Sequence, residues 1–112
     1  MYVRVDGTPF AVPLRSNITH PHALMTDAEN GCGLDYSKAV VIAKPEYIAE
    51  KKPKIRPNEY DFLRGRDFQV RNGLKKYIKE YKKARLNPHI KRYQMLCAFS
   101  TLQYFEKYIR DI

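Results

Sequence analysis

The stretch that decides the fold class is YVRVDGTPFAVPL, residues 2–14. Short runs rich in Val, Tyr and Phe flank the turn signal Asp-Gly-Thr-Pro at 6–9, which predicts a strand, a tight turn and a second strand. Pro13 has no backbone N–H, so it must lie at a strand end or on a sheet edge. The chain is therefore expected to begin with a β-hairpin.

The next residues predict one further strand and a connector. Residues 15–36 are polar and include Asn-Gly-Cys-Gly at 30–33, which we expect to form a flexible loop. Residues 38–43 form a short continuous apolar run, typical of a buried strand. Residues 51–57 include two prolines and cannot be helical throughout.

The following segment predicts a long helix. With Asn58 as its N-cap, apolar residues recur three, four and seven residues apart up to about Arg85. Gly65 and Gly73 are the points at which this helix can kink or divide.

A second helix is expected near the end of the chain. Asn87 and Pro88 resemble an N-cap followed by proline at the first helical position. We expect this helix to run to about Ile109, with an interruption near Ser100.

The order of these elements predicts an α+β fold in a single domain, residues 1–112. Residues 1–57 supply mainly strands and loops, and residues 58–112 supply mainly helices. A chain of this length is too short for a multidomain enzyme or a Rossmann-type oxidoreductase. It has no apolar run long enough for a membrane helix and no apolar core of a signal peptide, so we expect a cytoplasmic protein without membrane contact.

The charge is uneven. The chain has 21 basic and 12 acidic residues, a formal net charge of +9. Residues 1–57 have eight basic and six acidic side chains, whereas residues 58–112 have thirteen and six. This surplus predicts a polyanionic partner.

The two cysteines, Cys32 and Cys97, have neither zinc-site spacing nor the density of a disulfide framework. We expect two reduced thiols, as in an intracellular protein. A nucleophilic role for Cys32 remains an alternative.

The segment PLRSNITHPH, residues 13–22, concentrates the groups that catalysis uses. It follows a strand, where a rigid scaffold can hold reactive side chains, and its imidazoles titrate near neutral pH. A guanidinium is suited to a phosphate oxygen. Alternatively, the hydroxyls and the amide only cap a turn, and the histidines are solvated. The candidate residues are Arg15, Ser16, Asn17, Thr19, His20 and His22.

Lys38 is a second candidate, because it directly precedes the predicted buried strand and could stabilise developing charge. The alternative is a solvated lysine. His20 and His22 have His-x-His spacing, but the segment supplies no third ligand, so we expect no metal and no cofactor.

A basic stripe is the third candidate. Residues at spacings of four, four and three share one helical face, where like charges destabilise a helix by about 0.2–0.5 kcal/mol per pair. Such a stripe favours contact with a polyanion, and nucleic acid fits better than a membrane because the apolar face of the helix must cover the sheet. The stripe comprises Arg71, Lys75, Lys79 and Lys82, with Lys83 beside them.

In its order of features, the chain resembles the toxins of type III toxin–antitoxin systems. The features are an apolar strand ending at 10–14, the polar turn at 15–17, a nearby histidine, Gly-Leu-Asp-Tyr-Ser-Lys at 33–38 before an apolar strand, and two basic helices. These toxins form the ToxN, CptN and TenpN group, and the chain is most similar to the TenpN or CptN branch. The resemblance covers residues 2–109.

This resemblance implies a small, strongly bent antiparallel sheet or barrel with helices packed around it. It also implies a metal-independent endoribonuclease that leaves 2′,3′-cyclic phosphate and 5′-OH ends. Its partners would be cellular or phage RNA substrates and an RNA antitoxin, which is transcribed from short tandem repeats and folds into pseudoknots. An RNA-bridged hetero-oligomer follows.

The resemblance also implies roles for individual residues. In ToxN-like members the turn reads Thr-Ser-Pro-Lys. Here Ser16 matches the serine, Arg15 replaces the threonine and Ile18 stands where the lysine would be, so the cation must come from Arg15, Lys38 or a histidine.

In this scheme His20 is the general base or acid, with His22 as the alternative imidazole. Ser16 and Asn17 donate to the phosphate, while Arg15 and Lys38 supply charge. The basic stripe would bind the antitoxin, which would bury the groove that substrate RNA needs.

Two other classes of protein stay open from the residues alone. One is a non-catalytic RNA- or DNA-binding module with a basic helical face. The other is a protein-interaction domain with a basic surface.

Overall fold

The computed structural model describes residues 1–42 and 61–112, which form an α+β fold. The strands are β1 (Tyr2–Val5), β2 (Thr8–Ala11), β3 (Leu14–Arg15), β4 (Ala23–Asp27), β5 (Cys32–Asp35) and β6 (Val40–Val41). The helices are α1 (Asp67–Arg85), α2 (Lys91–Phe99) and α3 (Glu106–Ile109), with 3-10 turns at Tyr36–Lys38 and Thr101–Tyr104. Residues 61–63 are also helical. The predicted fold class is confirmed.

The hairpin predicted at the start of the chain is present, with a shorter turn than expected. Asp6 and Gly7 have φ angles of 48° and 85°. Left-handed geometry at both central residues is that of a two-residue type I′ turn, for which Asp-Gly is a preferred sequence. Strand β2 therefore begins already at Thr8, paired with Val5.

The strands form two three-stranded antiparallel sheets, in the orders β1-β2-β6 and β3-β5-β4. The chain crosses between them twice, from β2 to β3 through Val12 and Pro13, and from β5 to β6 through the first 3-10 turn. Two small sheets thus stand in place of the single bent sheet or barrel, and no closed barrel forms among the described strands.

The expectation of a polar loop over residues 15–36 is wrong for the second half of this segment, because β4 and β5 pair there as a hairpin. Gly33 is part of β5, and the backbone of β4 lies so close that a Cβ at this position would be 2.5 Å from the Leu24 carbonyl oxygen. Glycine marks a close approach of two strands at this point. The predicted strand at 38–43 is shorter, since residues 36–38 form a 3-10 turn and the described strand is β6.

Helix α1 covers both sheets with its apolar face and is the centre of the core. The predicted division at Gly65 is confirmed, because this residue has φ +75° and separates residues 61–63 from α1. Gly73 does not divide the helix, and a Cβ there would overlap the Tyr36 hydroxyl, so glycine admits the Tyr36 ring. The buried residues of α1 are Val70, Leu74, Tyr77, Ile78, Tyr81 and Ala84.

The C-terminal helix is interrupted at Ser100 as predicted, and a 3-10 turn and α3 follow. The N-cap predicted at Asn87 is wrong. Ile90 is the N-cap of α2, and the Asn87 side chain instead donates to the Lys83 carbonyl oxygen over 2.8 Å at the end of α1. The proline-containing connector at 51–57 and the N-cap at Asn58 lie outside the described residues.

Candidate active site

A polar pocket of about 250 Å³ lies where β3 and β5 end. One wall is the loop after β3, and the other is the 3-10 turn after β5. Six residues predicted as site residues share it: Arg15, Ser16, Asn17, Thr19, His20 and Lys38. The remaining lining residues are Ile18, Asp35, Ser37 and Phe99. The fold therefore joins the first two sequence candidates into one site.

Asp35 organises the pocket. Its side chain is 4% exposed and accepts from the Ser37 backbone N–H at 3.0 Å and the Ser37 hydroxyl at 2.5 Å. The same carboxylate lies 3.2 Å from His20 Nε2 and 3.8 Å from Arg15 Nη1. A buried carboxylate needs such donors and counter-charges, so the loop and the turn are fixed to each other through this group.

The hydrogen bonds of His20 define its tautomer. The His22 backbone N–H donates to His20 Nδ1 over 3.1 Å, so Nδ1 acts as an acceptor and bears no proton. The proton of the neutral ring is then on Nε2, which faces Asp35 Oδ1 and lies 3.4 Å from Ser37 Oγ. Both ring nitrogens are engaged within the protein in this arrangement.

Arg15 and Lys38 are the cations of the pocket. The Arg15 side chain is half-exposed, and Lys38 Nζ donates to the Phe99 carbonyl oxygen over 2.8 Å. Arg15 and Lys38 contribute two positive charges and Asp35 contributes one negative charge, so these three groups together have a net charge of +1. The pocket therefore suits a singly charged anion such as a phosphodiester.

The loop at 16–19 holds donors at the pocket mouth. Asn17 has φ +58°, a left-handed conformation that Asn adopts more readily than most residues, and Ile18 N donates to the Gly31 carbonyl oxygen over 3.0 Å. Ser16, Asn17 and Thr19 are exposed, and their side chains make no hydrogen bond to the described residues. They are available to a ligand.

His22 lies behind the pocket and does not line it. Its ring stacks on His20 with centroids 5.7 Å apart and is tilted against Tyr77 at 5.4 Å. Its Nδ1 is 3.9 Å from Glu80 Oε2 on α1. This position fits support of His20 better than a place in the pocket as the alternative imidazole, the role that the resemblance implied for His22. Burial raises the pKa of Tyr77 to about 12, so its hydroxyl is protonated at neutral pH.

Sequence reasoning gave no role to four pocket residues, Ile18, Asp35, Ser37 and Phe99. Asp35 and Ser37 stand in the segment 33–38 quoted before the predicted strand, but β5, whose last residue is Asp35, was expected to be part of a loop. Phe99 gave no signal, because its approach to the pocket depends on a contact with Lys38 across 61 residues.

The basic stripe on α1 is less uniform than its spacing suggested. Lys75 Nζ is 3.2 Å from Asp6 Oδ1, and Lys82 Nζ donates over 3.1 Å to the carbonyl oxygens of Arg110 and Ile112. The other members, Arg71, Lys79 and Lys83, are exposed and have no ion pair within residues 1–42 and 61–112.

The stripe and the pocket face different sides of α1. The positions of α1 that support the pocket are Gly73, against Tyr36, and Tyr77 and Glu80, against His22. At 3.6 residues per turn, the mean direction of Arg71, Lys75, Lys79 and Lys82 lies about 170° around the helix axis from these contacts, and Lys83 lies about 90° from them. An RNA bound by the stripe would therefore have to extend around the helix to bury the pocket, and its burial of the pocket stays a prediction.

Among the residues described, no group of three His, Cys, Asp or Glu side chains could hold a metal ion. Cys32 and Cys97 form no disulfide with each other, and Cys32 does not line the pocket. No helix within residues 1–42 and 61–112 has the length and apolar character of a membrane span. Comparisons with protein-family models, curated proteins and solved structures find no match to this chain.

Proposed function

We propose that this protein is a metal-independent endoribonuclease, the toxin of a type III toxin–antitoxin system. The observation that supports this most is the convergence of two cations, several hydroxyl and amide donors and an imidazole around the buried Asp35. Stabilisation of a phosphorane requires donors and cations held in place before the reaction. The resemblance of residues 2–109 to these toxins points to the same chemistry.

In the proposed reaction, the scissile phosphate lies between Arg15 and Lys38, and Ser16 and Asn17 donate to its oxygens. The ribose 2′-oxygen attacks the adjacent phosphorus, and the bond from phosphorus to the 5′-oxygen breaks. A base takes the proton of the 2′-OH, and an acid gives a proton to the leaving 5′-oxygen. The products are a 2′,3′-cyclic phosphate and a 5′-OH.

His20 is the proposed acid or base. Its Nδ1 is held by the His22 backbone N–H, and its Nε2 faces Asp35, so one of these bonds must be released when RNA binds. Hydrogen bonds of free enzymes commonly rearrange in this way in the substrate complex. His22 stacks on the ring and keeps it close to the pocket.

The proposed partners are cellular or phage RNA as substrate and a repeat-derived pseudoknotted RNA as antitoxin, together in an RNA-bridged hetero-oligomer in the bacterial cytoplasm. The exposed cations of α1 would hold the antitoxin on one side of the helix. Since the pocket is on the other side, inhibition requires the antitoxin to contact the pocket loop as well.

The experiment is incubation of the purified protein with single-stranded RNA in excess EDTA, followed by mapping of the ends. We expect fragments with 2′,3′-cyclic phosphate and 5′-OH ends. Intact RNA, or cleavage only after metal is added, would overturn the proposal.

His20→Ala and His89→Ala form a matched pair for this assay, because His89 is exposed and lies outside the pocket. We expect His20→Ala to lower the cleavage rate at least about 100-fold, the lower end of the usual contribution of an acid or base. It should also abolish growth arrest while leaving antitoxin binding largely intact. His89→Ala should behave as wild type.

A second candidate is a non-catalytic RNA- or DNA-binding module. The observation in its favour is that both nitrogens of His20 already have partners within the protein. The same EDTA assay separates the two, because a binding module would retain RNA in a gel-shift assay and leave it uncut.

A further inference from the structure

Phe99 is a large apolar side chain left exposed beside a polar pocket. It is the last residue of α2, its exposed fraction is 66%, and it is one of the lining residues of the pocket. A lone exposed apolar residue is ordinary on a protein surface. The argument therefore rests on how this one is held and on what lies next to it.

The backbone at Phe99 is fixed. Its carbonyl oxygen accepts from Lys38 Nζ over 2.8 Å. Ser100, which is 1% exposed, accepts through Oγ from the Tyr77 hydroxyl at 2.7 Å, and Thr101 Oγ1 donates to the Ser37 carbonyl oxygen over 3.2 Å. The residues that follow Phe99 are thus tied to the 3-10 turn that forms one pocket wall, so the backbone that bears the ring has a defined place relative to the pocket.

The residues beside the Phe99 ring are cations, as the binding of single-stranded nucleic acid requires. The Lys38 ammonium uses one donor on the Phe99 carbonyl and keeps two for a phosphate oxygen. Arg15 lines the same pocket. An aromatic ring beside cations is the usual arrangement for single-stranded nucleic acid, in which the base stacks on the ring and the phosphate meets the charge.

We propose that Phe99 is a specificity-determining residue that stacks on the nucleobase next to the phosphate bound in the pocket. This inference rests on the proposed function in so far as it takes RNA as the pocket's ligand. The bases of a duplex are covered on both faces by their neighbours, so stacking on Phe99 makes the site selective for single-stranded RNA.

The absence of tryptophan from the chain allows a direct test. Phe99→Trp introduces a single tryptophan, which can be excited at wavelengths longer than the tyrosines absorb, and a base stacked on it quenches its emission. The probe is a short single-stranded RNA with 2′-O-methyl groups, which cannot be cleaved. Tyr104→Trp is the matched control, because Tyr104 is 74% exposed, does not line the pocket and lies outside α1 and its basic stripe.

We expect strong quenching of Phe99→Trp by the single strand, little quenching by a duplex of the same sequence, and little change in Tyr104→Trp. Phe99→Ala should weaken binding of the single strand about 5- to 100-fold, as removal of a stacking platform does, whereas Phe99→Tyr should retain wild-type binding. Equal quenching in the two tryptophan variants, or unchanged affinity of Phe99→Ala, would overturn the inference.

The outcomes separate this inference from the proposed function. Quenching of Phe99→Trp by a protein that does not cleave RNA supports stacking and contradicts the nuclease. Cleavage by wild type with unchanged affinity and rate in Phe99→Ala supports the nuclease and contradicts stacking.

Discussion

The pocket and the α1 basic stripe are both rich in polar side chains, but only in the pocket does one shared group hold these side chains together. In the pocket, one buried carboxylate touches Ser37, His20 and Arg15, which come from two segments of the chain. On the stripe, no group gathers the cations. Lys75 and Lys82 are used by Asp6 and by C-terminal carbonyls, and the other cations extend into solvent.

This difference distinguishes a site that can catalyse a reaction from a surface that only attracts a charged ligand. Groups that converge on one point can act together on one phosphate, whereas separated surface cations create a field that salt screens. In the proposed function, the stripe attracts and orients RNA, and the pocket is where the reaction takes place. Each variant below probes one of the two regions and has its control in the other or in a neighbouring position.

The largest expected effect is on the strands beneath the pocket. Gly33→Ala places a Cβ 2.5 Å from the Leu24 carbonyl oxygen, and neither strand can yield without breaking the β4–β5 pairing. We expect the free energy of unfolding in urea to fall by about 3 kcal/mol, the upper part of the range for overpacking. Gly7→Ala is the control, since its space is open and only the positive φ opposes it, at about 1 kcal/mol. Equal losses in both variants would contradict the close approach of β4.

The next effect concerns the two acidic groups, one in each region. Asp35→Asn removes the charge that faces His20 and Arg15, and we expect about 1–3 kcal/mol of lost stability together with loss of cleavage. Asp6→Asn removes the ion-pair partner of Lys75 in the stripe. Both side chains of this pair are partly exposed, and such pairs contribute less than about 1 kcal/mol to the stability of a protein. Thermal unfolding and the EDTA assay check both variants. Wild-type cleavage by Asp35→Asn would remove this carboxylate from the account.

A smaller effect is expected on RNA binding, and it should differ between two pairs of lysines in the stripe. In the double variant Lys79→Gln with Lys83→Gln, two cations without an intramolecular partner in the described chain are lost. We expect weaker binding of a labelled pseudoknotted RNA and a salt dependence whose log–log slope falls by about 0.7–0.9 per cation. Lys75→Gln with Lys82→Gln removes the same charge but should lower the slope less, because these lysines already have partners. Identical slopes for the two pairs would refute this division.

The smallest effect is on stability alone. Lys82→Gln loses hydrogen bonds to the carbonyl oxygens of Arg110 and Ile112, and we expect a loss of about 1 kcal/mol. Lys79→Gln should change the free energy of unfolding by less than about 0.5 kcal/mol, as surface substitutions usually do. Chemical denaturation of the two single variants measures the difference, and the reverse order would contradict the assigned contacts.

Local signals predicted the local parts of this structure. The Asp6-Gly7 turn and the division at Gly65 each depend on a residue's own backbone preference, and the break at Ser100 is capped by its own side chain, which accepts from the Leu102 backbone N–H. That the 15–20 loop and Lys38 share one site was implied only by the resemblance, which assigned Arg15 and Lys38 to the same phosphate. The parts that could not be predicted depend on residues that are distant in sequence. Gly33 resembles a loop residue in the sequence, and its role in a strand follows only from the position of β4. Phe99 contacts Lys38 only in the folded chain.

In the basic stripe, too, the local feature could be predicted from the sequence and the long-range contacts could not. The spacing of the lysines on one face of α1 was predicted correctly, since it follows from the helix itself. Their intramolecular partners, Asp6 and the last carbonyls of the chain, could not be inferred from helical spacing. A count of basic residues therefore overstates the charge that faces a ligand.

The most direct measurement compares the cleavage of one single-stranded RNA in EDTA by two doubly neutralised proteins. Arg15→Gln with Lys38→Gln removes two charges from the pocket, and Lys79→Gln with Lys83→Gln removes two from the stripe. At saturating RNA, the account predicts a loss of at least about 100-fold for the pocket pair and less than about threefold for the stripe pair. A pocket pair that cleaves at the wild-type rate, or a stripe pair that loses as much activity, would contradict it.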